Sequence, residues 1–140
     1  MFKALVDGFY VAPQLRHDDF PAAAAAGIRT IINNRPDGEA ADQLSHAAAR
    51  DAAKSAGLAY HYLPVVNGQL TMETVQALRA LMGEVEQPIL AYCRSGTRST
   101  FLWAFASAPD VDGETIVEAA ASAGYDVSGI GDQLAAMRRR

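Results

Sequence analysis

The sequence predicts one α/β domain, residues 1–140, built on a central, mainly parallel sheet of about four to five strands with helices on both faces. Short segments rich in apolar and β-branched residues alternate with alanine-rich or amphipathic segments typical of helices. The connections between successive strands are long enough for the helical crossovers that parallel strands require. No internal repeat or linker-like composition interrupts this alternation.

Turn and capping residues set the expected limits of each element. Strands are expected at residues 9–12, 28–33, 58–65 and 89–92. Helices are expected from a cap at Asp18 or Asp19 to Gly27, from about Ala41 to Ala56, from a cap at Thr71 to Val85, around Phe101 to Phe105, from Gly113 to Ala123 and roughly from Ile130 to Arg138. In such sheets ligands bind beyond the carboxyl ends of the strands, so the segments after residues 33 and 92 are the candidate site.

Composition and charge exclude several functional classes. Half of the residues are hydrophobic and a fifth are charged, as in ordinary globular proteins. The net charge of −4 argues against nucleic-acid binding through bulk charge. No apolar run approaches the roughly 20 residues that span a bilayer, and the N-terminus lacks the pattern of a signal peptide. The single cysteine excludes an internal disulfide and fits a cytoplasmic location.

Neither a metal nor a cofactor is predicted. The three histidines, His17, His46 and His61, are scattered, whereas zinc needs three or four convergent ligands. The expected partner is instead a small anionic substrate, without nucleic acid or membrane. The sequence leaves the oligomeric state open.

A loop between the last strand and the following helix carries the predicted chemistry. It consists of Cys93, Arg94, Ser95, Gly96, Thr97 and Arg98. Successive backbone N–H groups leading into a helix N-terminus form a concave anion site, and glycine lets such a loop curl around its ligand. An arginine can hold a tetrahedral anion with two parallel hydrogen bonds. The same positive field favours the thiolate form of Cys93, which we therefore expect to be a nucleophile.

Two further questions concern the surroundings of this loop. Ser99 or Thr100 is expected to cap the helix or to donate a hydrogen bond to the sulfur. Ser99 is also expected to help bind the anion. After the strand at residues 28–33, Arg35 would extend the positive field, and Asp37 would orient it or act as an acid. The alternative for Arg35 and Asp37 is a simple turn, since Pro, Asp and Gly are turn residues. For Cys93, the alternative is a buried structural thiol beside solvated arginines.

The loop resembles the active loops of protein tyrosine phosphatases and of rhodaneses. Five stretches together resemble the bacterial beta-lactamase-hydrolase-like phosphatase domain over nearly the whole chain: residues 33–39, 56–58, 63–65, 90–99 and 123–126. The resemblance implies a tyrosine-phosphatase-like fold, with Cys93 as nucleophile and Arg98 as the anion-binding arginine.

Two departures keep a rival open. Tyrosine phosphatases place five residues between the cysteine and the arginine, whereas this loop has four, which is closer to a rhodanese loop. Those phosphatases also supply an aspartic acid from a loop whose counterpart here, residues 64–68, has no carboxylate; Asp37 or Glu39 would have to substitute. The first hypothesis is a cysteine-dependent phosphatase acting on a phosphoester. The alternatives are a rhodanese-type sulfurtransferase that takes sulfur from thiosulfate or a persulfide, and a non-catalytic anion-binding module.

Overall fold

Five strands form one sheet in the order β1-β2-β5-β3-β4 in the computed structural model, which describes residues 2–138. The strands are Lys3–Val6 (β1), Phe9–Ala12 (β2), Thr30–Asn33 (β3), Ala59–Tyr62 (β4) and Ile89–Tyr92 (β5). The helices are Asp19–Ala25 (α1), His46–Ser55 (α2), Met72–Glu84 (α3), Thr97–Ser107 (α4), Gly113–Ser122 (α5) and Gly131–Arg138 (α6), with a short 3₁₀ turn at Ser128–Ile130.

Four of the strands are parallel and end on one line. β5 pairs with β2 and β3, and β3 pairs with β4, always in the parallel sense. In that register the last residues of these strands, Ala12, Tyr92, Asn33 and Tyr62, are neighbours. The segments that follow them therefore emerge together at the carboxyl edge of the sheet, where the predicted site lies.

The two faces of the sheet carry separate hydrophobic cores, because successive strand residues point to opposite faces. On β5, Ile89 and Ala91 belong to the core that α3, α4, α5 and α6 cover. Leu90 and Tyr92 belong to the opposite core, which α1 and α2 cover. The predicted mainly parallel sheet with helices on both faces is confirmed.

The observed limits differ from the expectation at several places. β3 begins at Thr30 and β4 spans only Ala59–Tyr62, so both strands are shorter than the expected 28–33 and 58–65. β1 pairs antiparallel with β2 through a turn at Gly8, in a segment for which the sequence predicts no strand. The helix expected from about Ala41 begins only at His46, because Ser45 accepts a hydrogen bond from the Ala48 amide and caps it there. The residues before Ser45 form a turn instead, in which the Gln43 side chain donates to the Pro36 carbonyl at 2.8 Å.

Across residues 2–138, every helix is too short or too polar to cross a membrane.

The alanines of α2 allow that helix to lie close to the sheet, which yields a test of the packing. Ala53 is fully buried, whereas Ala47 lies on the exposed face of the same helix. We expect Ala53→Leu to lower the free energy of unfolding by about 1–3 kcal/mol through overpacking, and Ala47→Leu to change it by less than about 0.5 kcal/mol. Urea denaturation followed by circular dichroism measures both. Equal effects would contradict the close packing of this face.

Candidate active site

Cys93 begins the loop that joins β5 to α4 and is fully buried. The Gly96 amide points back at the cysteine, and its N–H donates to the Cys93 Sγ at 3.1 Å. Gly96 is also the residue before α4 and has a φ of 93°, a conformation that favours glycine. The loop thus curls around the sulfur at the positive end of a helix dipole, an arrangement that stabilises negative charge.

The hydroxyl groups of the loop have specific partners. Ser95 Oγ donates to Thr97 Oγ1 at 2.9 Å, and both residues are exposed. Ser99 is buried, and its hydroxyl donates to Asn34 Oδ1 at 2.8 Å. This hydrogen bond links α4 to the residue after β3, so the hydroxyl does not donate to the sulfur. Thr100 likewise donates to the Gly96 carbonyl at 2.8 Å. The Ser99 and Thr100 hydroxyls therefore fill neither expected role: they do not donate to the sulfur, and they do not cap α4.

Tyr125 holds the loop from outside. Its hydroxyl donates to the Ser95 carbonyl at 3.0 Å. A Cβ atom at Gly96 would clash with that hydroxyl and lie only 2.8 Å from Tyr125 Cζ, so the ring presses directly on the glycine. The pKa of Tyr125 is raised by burial and by the charge of Cys93, which reflects the nearness of the sulfur. Tyr125 therefore fixes the Ser95–Gly96 peptide, whose own N–H donates to Cys93.

Arg98 lies in the first turn of α4, and its guanidinium is oriented by two acceptors. Nη1 donates to Glu39 Oε2 and to the Val65 carbonyl, each at 2.8 Å, and Nη2 donates to Glu39 Oε1 at 2.7 Å. The pKa of Glu39 is lowered from its usual 4.5 to about 2, chiefly by the hydrogen bond from Arg98. Glu39 is therefore ionised at neutral pH and forms an ion pair with Arg98.

This orientation leaves one edge of the Arg98 guanidinium free. Of its five N–H donors, the Glu39 and Val65 contacts use three, and the remaining two are Nε–H and one Nη2–H, which lie side by side. The pKa of Arg98 is raised first by the hydrogen bond to Glu39, and further by the charge of Cys93 and by a hydrogen bond to that side chain, so the edge without an oxygen partner faces the sulfur. A parallel pair of donors thus remains near the sulfur, in the arrangement that suits two oxygens of a tetrahedral anion.

Arg35 extends the same network away from the loop. Its side chain is 5% exposed, and Nε donates to Glu39 Oε1 at 2.9 Å. Nη1 donates to the side-chain oxygen Oε1 of Gln14 at 3.0 Å, and the backbone N–H of Gln14 donates to the Arg94 carbonyl at 3.1 Å. Arg35 is therefore not a solvated turn residue: it connects Glu39 to the segment after β2.

Asp37 and Arg94 lie at the margins of this network. The Asp37 carboxylate accepts from the His46 amide at 2.7 Å, and the Asp37 amide donates to the Tyr62 hydroxyl at 3.1 Å. Those contacts place Asp37 at the start of α2. The carboxylate that pairs with Arg98 is that of Glu39. Arg94 is exposed, and its side chain makes no ion pair within the described part of the chain.

Residues 2–138 contain no group of three or more histidine, cysteine, aspartate or glutamate side chains arranged to hold a metal ion.

The fold is that of the protein tyrosine phosphatases. The crystal structure of a candidate phosphatase from Neisseria meningitidis matches with a TM-score of 0.86 and 35% identity over 97% of both chains. The structure of PTPMT1 matches with a TM-score of 0.75 over 99% of this chain and 94% of that one, at 14% identity. The active form of Tk-PTP matches with a TM-score of 0.69 over 99% and 97%, at 13% identity. At such low identities the last two likenesses concern the fold alone.

Residues 1–110 match the family model for the phosphatase-like domain of beta-lactamase hydrolase-like proteins, and the chain belongs to this family. The beta-lactamase hydrolase-like proteins of Xylella fastidiosa strain Temecula1 and Agrobacterium fabrum strain C58 are 38% and 37% identical to it over 100 residues. Those 100 residues are 71% of this chain but only 23% of each relative. The family predicted from the loop and its flanking stretches is confirmed.

Local sequence patterns assign no role in this network to Gln14 or Tyr125, although Tyr125 lies in the stretch 123–126 that shares the family resemblance. Gln14 follows a short strand without any motif around it, and Tyr125 lies 32 positions beyond Cys93, in the segment after α5. Their contacts with the loop arise only when the chain folds. Glu39 is visible in the sequence as a possible acid, but its pairing with Arg98 is a tertiary contact that no spacing indicates.

The contact between Gly96 and Tyr125 can be tested by a double-mutant cycle. We expect Gly96→Ala to lower the free energy of unfolding by about 1–3 kcal/mol, through backbone strain and the clash with the ring. In a Tyr125→Ala background only the strain remains, so the effect should shrink by about 1 kcal/mol. Urea denaturation measures all four proteins.

Gly57→Ala is the matched control for this cycle. Gly57 also has a positive φ, 79°, but its Cβ would meet nothing within 4 Å. Its substitution should therefore have the same effect with and without Tyr125. If Gly96→Ala behaved in that way too, Tyr125 would not be the residue that holds the loop.

Proposed function

We propose that this domain is a cysteine-dependent phosphatase that hydrolyses small phosphoesters, with Cys93 as the nucleophile. The observation that carries the proposal is the donor edge of Arg98 that no protein oxygen occupies, held in place by Glu39 and the Val65 carbonyl and close enough to Cys93 for its charge to raise the pKa of Arg98. The curled loop adds backbone N–H groups at a helix N-terminus, and the phosphatase-like family adds the reaction class. A cytoplasmic location stays a prediction from the single cysteine.

The proposed reaction has two steps. The Cys93 thiolate attacks phosphorus, the bond from phosphorus to the ester oxygen breaks, and a proton passes to the departing alcohol. Water then attacks the cysteinyl phosphate, the sulfur–phosphorus bond breaks, and inorganic phosphate leaves as the thiolate is restored. Throughout, Arg98 and the amides of residues 94–98 hold the non-bridging oxygens, where charge builds up in the transition state.

Sulfur transfer remains a second candidate because of the short loop. With four residues between Cys93 and Arg98, the ring of amides is smaller than the five-residue spacing of tyrosine phosphatases provides. The four-residue spacing is closer to the rhodanese loop, which holds a persulfide. The two chemistries leave different marks on Cys93, so one experiment separates them.

We expect p-nitrophenyl phosphate to be hydrolysed, with Cys93→Ser lowering kcat by about 10³-fold or more. Arg98→Lys keeps the charge but loses the donor pair, and should lower kcat by roughly 10²-fold. In parallel, intact mass spectrometry after incubation with thiosulfate should show no added sulfur on Cys93. A gain of one sulfur atom without Cys93-dependent phosphate release would establish the sulfurtransferase instead. Equal activity of Cys93→Ser in every assay would leave only a non-catalytic module.

For the proton donor we propose Asp37. Glu39 is a poor candidate, because Arg98 holds its pKa at about 2 and keeps it ionised. Asp37 is exposed and forms no ion pair within the described residues, and only one of its carboxylate oxygens has a hydrogen-bond partner, the His46 amide. Its second oxygen has no hydrogen-bond partner among residues 2–138, and we propose that it delivers the proton to the leaving group.

Leaving-group dependence tests this role. We expect Asp37→Asn to slow the hydrolysis of phenyl phosphate by roughly 10²-fold, and that of p-nitrophenyl phosphate, whose leaving group needs no proton, by less than about tenfold. Asparagine keeps the oxygen that accepts from His46, so α2 should remain intact. Asp51→Asn, an exposed substitution within α2, is the control. Equal losses on both substrates would exclude Asp37 as the acid.

A further inference from the structure

A groove beside the loop is lined by arginines that the proposed chemistry does not fully use. It has a volume of about 510 Å³, and its lining includes Gln14, Arg16, Arg35, Asp42, Gln43 and Arg94. Arg94 directly follows Cys93 and lines the groove, so the groove borders the loop that carries the cysteine. Any further part of a substrate that extends this way meets these side chains.

The charge of this groove is opposite to that of the whole chain. Three arginines and one aspartate line it, although the chain carries a net charge of −4. Glu39 partly neutralises Arg35, but Arg16 and Arg94 form no ion pair within the described residues. A concentration of unpaired positive charge on an acidic protein attracts anions to that place, because clefts focus the field of the charges that line them.

The groove is also a built site, not a loose set of surface side chains. The backbone N–H of Gln14 donates to the Arg94 carbonyl at 3.1 Å, and Gln14 Oε1 accepts from Arg35 Nη1 at 3.0 Å. Arg35 itself is 4% exposed, and its third nitrogen, Nη2, forms no hydrogen bond within residues 2–138. This unused donor is accessible to solvent and, because Arg35 lines the open groove, can bind an acceptor there.

The far part of the groove limits how long the ligand can be. Beyond Gln14 and Arg16 a second cavity of about 560 Å³ continues past His17, and two aspartates, Asp18 and Asp42, are among its lining residues. Positive charge is therefore concentrated at the end next to the loop. A second anionic group is stabilised only if a few bonds separate it from the first.

We propose that this groove, which we name the Arg16 groove, binds a second anionic group of the substrate. The substrate class is then a phosphoester that carries another phosphate or a carboxylate a few bonds from the phosphoryl group under attack. This proposal rests on the phosphatase function proposed above and adds its substrate class. Arg94 and Arg35 supply donors next to the loop, and Arg16 supplies the outer charge.

The probes are phosphomonoesters of short alcohols and the bisphosphates of diols with two to six carbons, used as competitors of p-nitrophenyl phosphate. We expect the best bisphosphate to have an inhibition constant at least about tenfold lower than its monophosphate counterpart at physiological ionic strength. The same alcohol bearing a carboxylate in place of the second phosphate distinguishes the two kinds of second group. A bisphosphate no tighter than its monophosphate at any length would overturn the proposal.

Three single substitutions test the residues. Arg16→Gln should reduce the advantage of the bisphosphate over the monophosphate by roughly three- to tenfold. Asp42→Asn removes the opposing charge and should increase that advantage by roughly two- to threefold. Arg29→Gln has the same loss of charge at the opposite edge of the sheet, where Arg29 precedes β3, and should leave the advantage unchanged. Equal effects of Arg16→Gln and Arg29→Gln would show that only net charge matters, and the Arg16 groove would be excluded.

Failure of the groove and failure of the phosphatase are separate results. If p-nitrophenyl phosphate is hydrolysed through Cys93 but bisphosphates have no advantage, only the groove proposal is wrong. If no Cys93-dependent hydrolysis occurs, calorimetric titration of the wild-type protein with the same mono- and bisphosphates replaces inhibition. The bisphosphate advantage and its loss in Arg16→Gln are then read from binding constants, and their absence again excludes the groove.

Discussion

The common end point of four parallel strands brings together Gln14, the segment from Asn34 to Glu39, Val65 and the cysteine loop. Because Ala12, Tyr92, Asn33 and Tyr62 are neighbours in register, the segments that follow them meet at one edge of the sheet. A shift of one residue between two of these strands would turn the affected side chains to the opposite face. The buried, two-sided core of the sheet excludes such a shift, since each face has its own apolar partners.

Hydrogen bonds between the strand ends then complete the site without any ligand. Asn34 donates to the Leu63 carbonyl at 2.8 Å and accepts from Ser99, so three segments are fixed by one buried amide. Arg98 is fixed by Glu39 and Val65 in the same manner. Donors that are already oriented need little reorganisation when charge develops on a bound phosphoryl group, and this preorganisation is the main source of electrostatic catalysis. The ion pair of Glu39 and Arg98 accordingly orients the arginine and leaves its working edge open.

The parts of this structure that the sequence predicts are those with local causes. Thr71 caps α3 and Pro88 precedes β5 as expected, and Gly96 occupies the positive φ that the loop requires. The fold class and the family follow from such signals and from the resemblance of the loop. The start of α2 differs from the expectation for a local reason: Ser45 caps the helix, so residues 41–45 stay outside it although Ala41 and Leu44 are good helix formers. The other features that the sequence does not predict depend on partners distant along the chain. The pairing of Glu39 with Arg98 is the clearest case, because 59 positions separate the two residues. The catalytic and anion-binding roles of the loop residues remain predictions of the same sequence.

The packing of the last two helices has a consequence for how this domain is delimited. The family match ends at residue 110, yet Ile116, Ala120 and Leu134 are fully buried in the same core as Val11 and Ile32. The region that the family model covers is therefore shorter than the unit that shares one hydrophobic core. A fragment excised at the limit of the match would expose an apolar surface on α4 and would also lose the tyrosine that braces the cysteine loop. Chimaeras and fusion proteins made with domains of this family should accordingly include the helices that complete the core, α5 and α6.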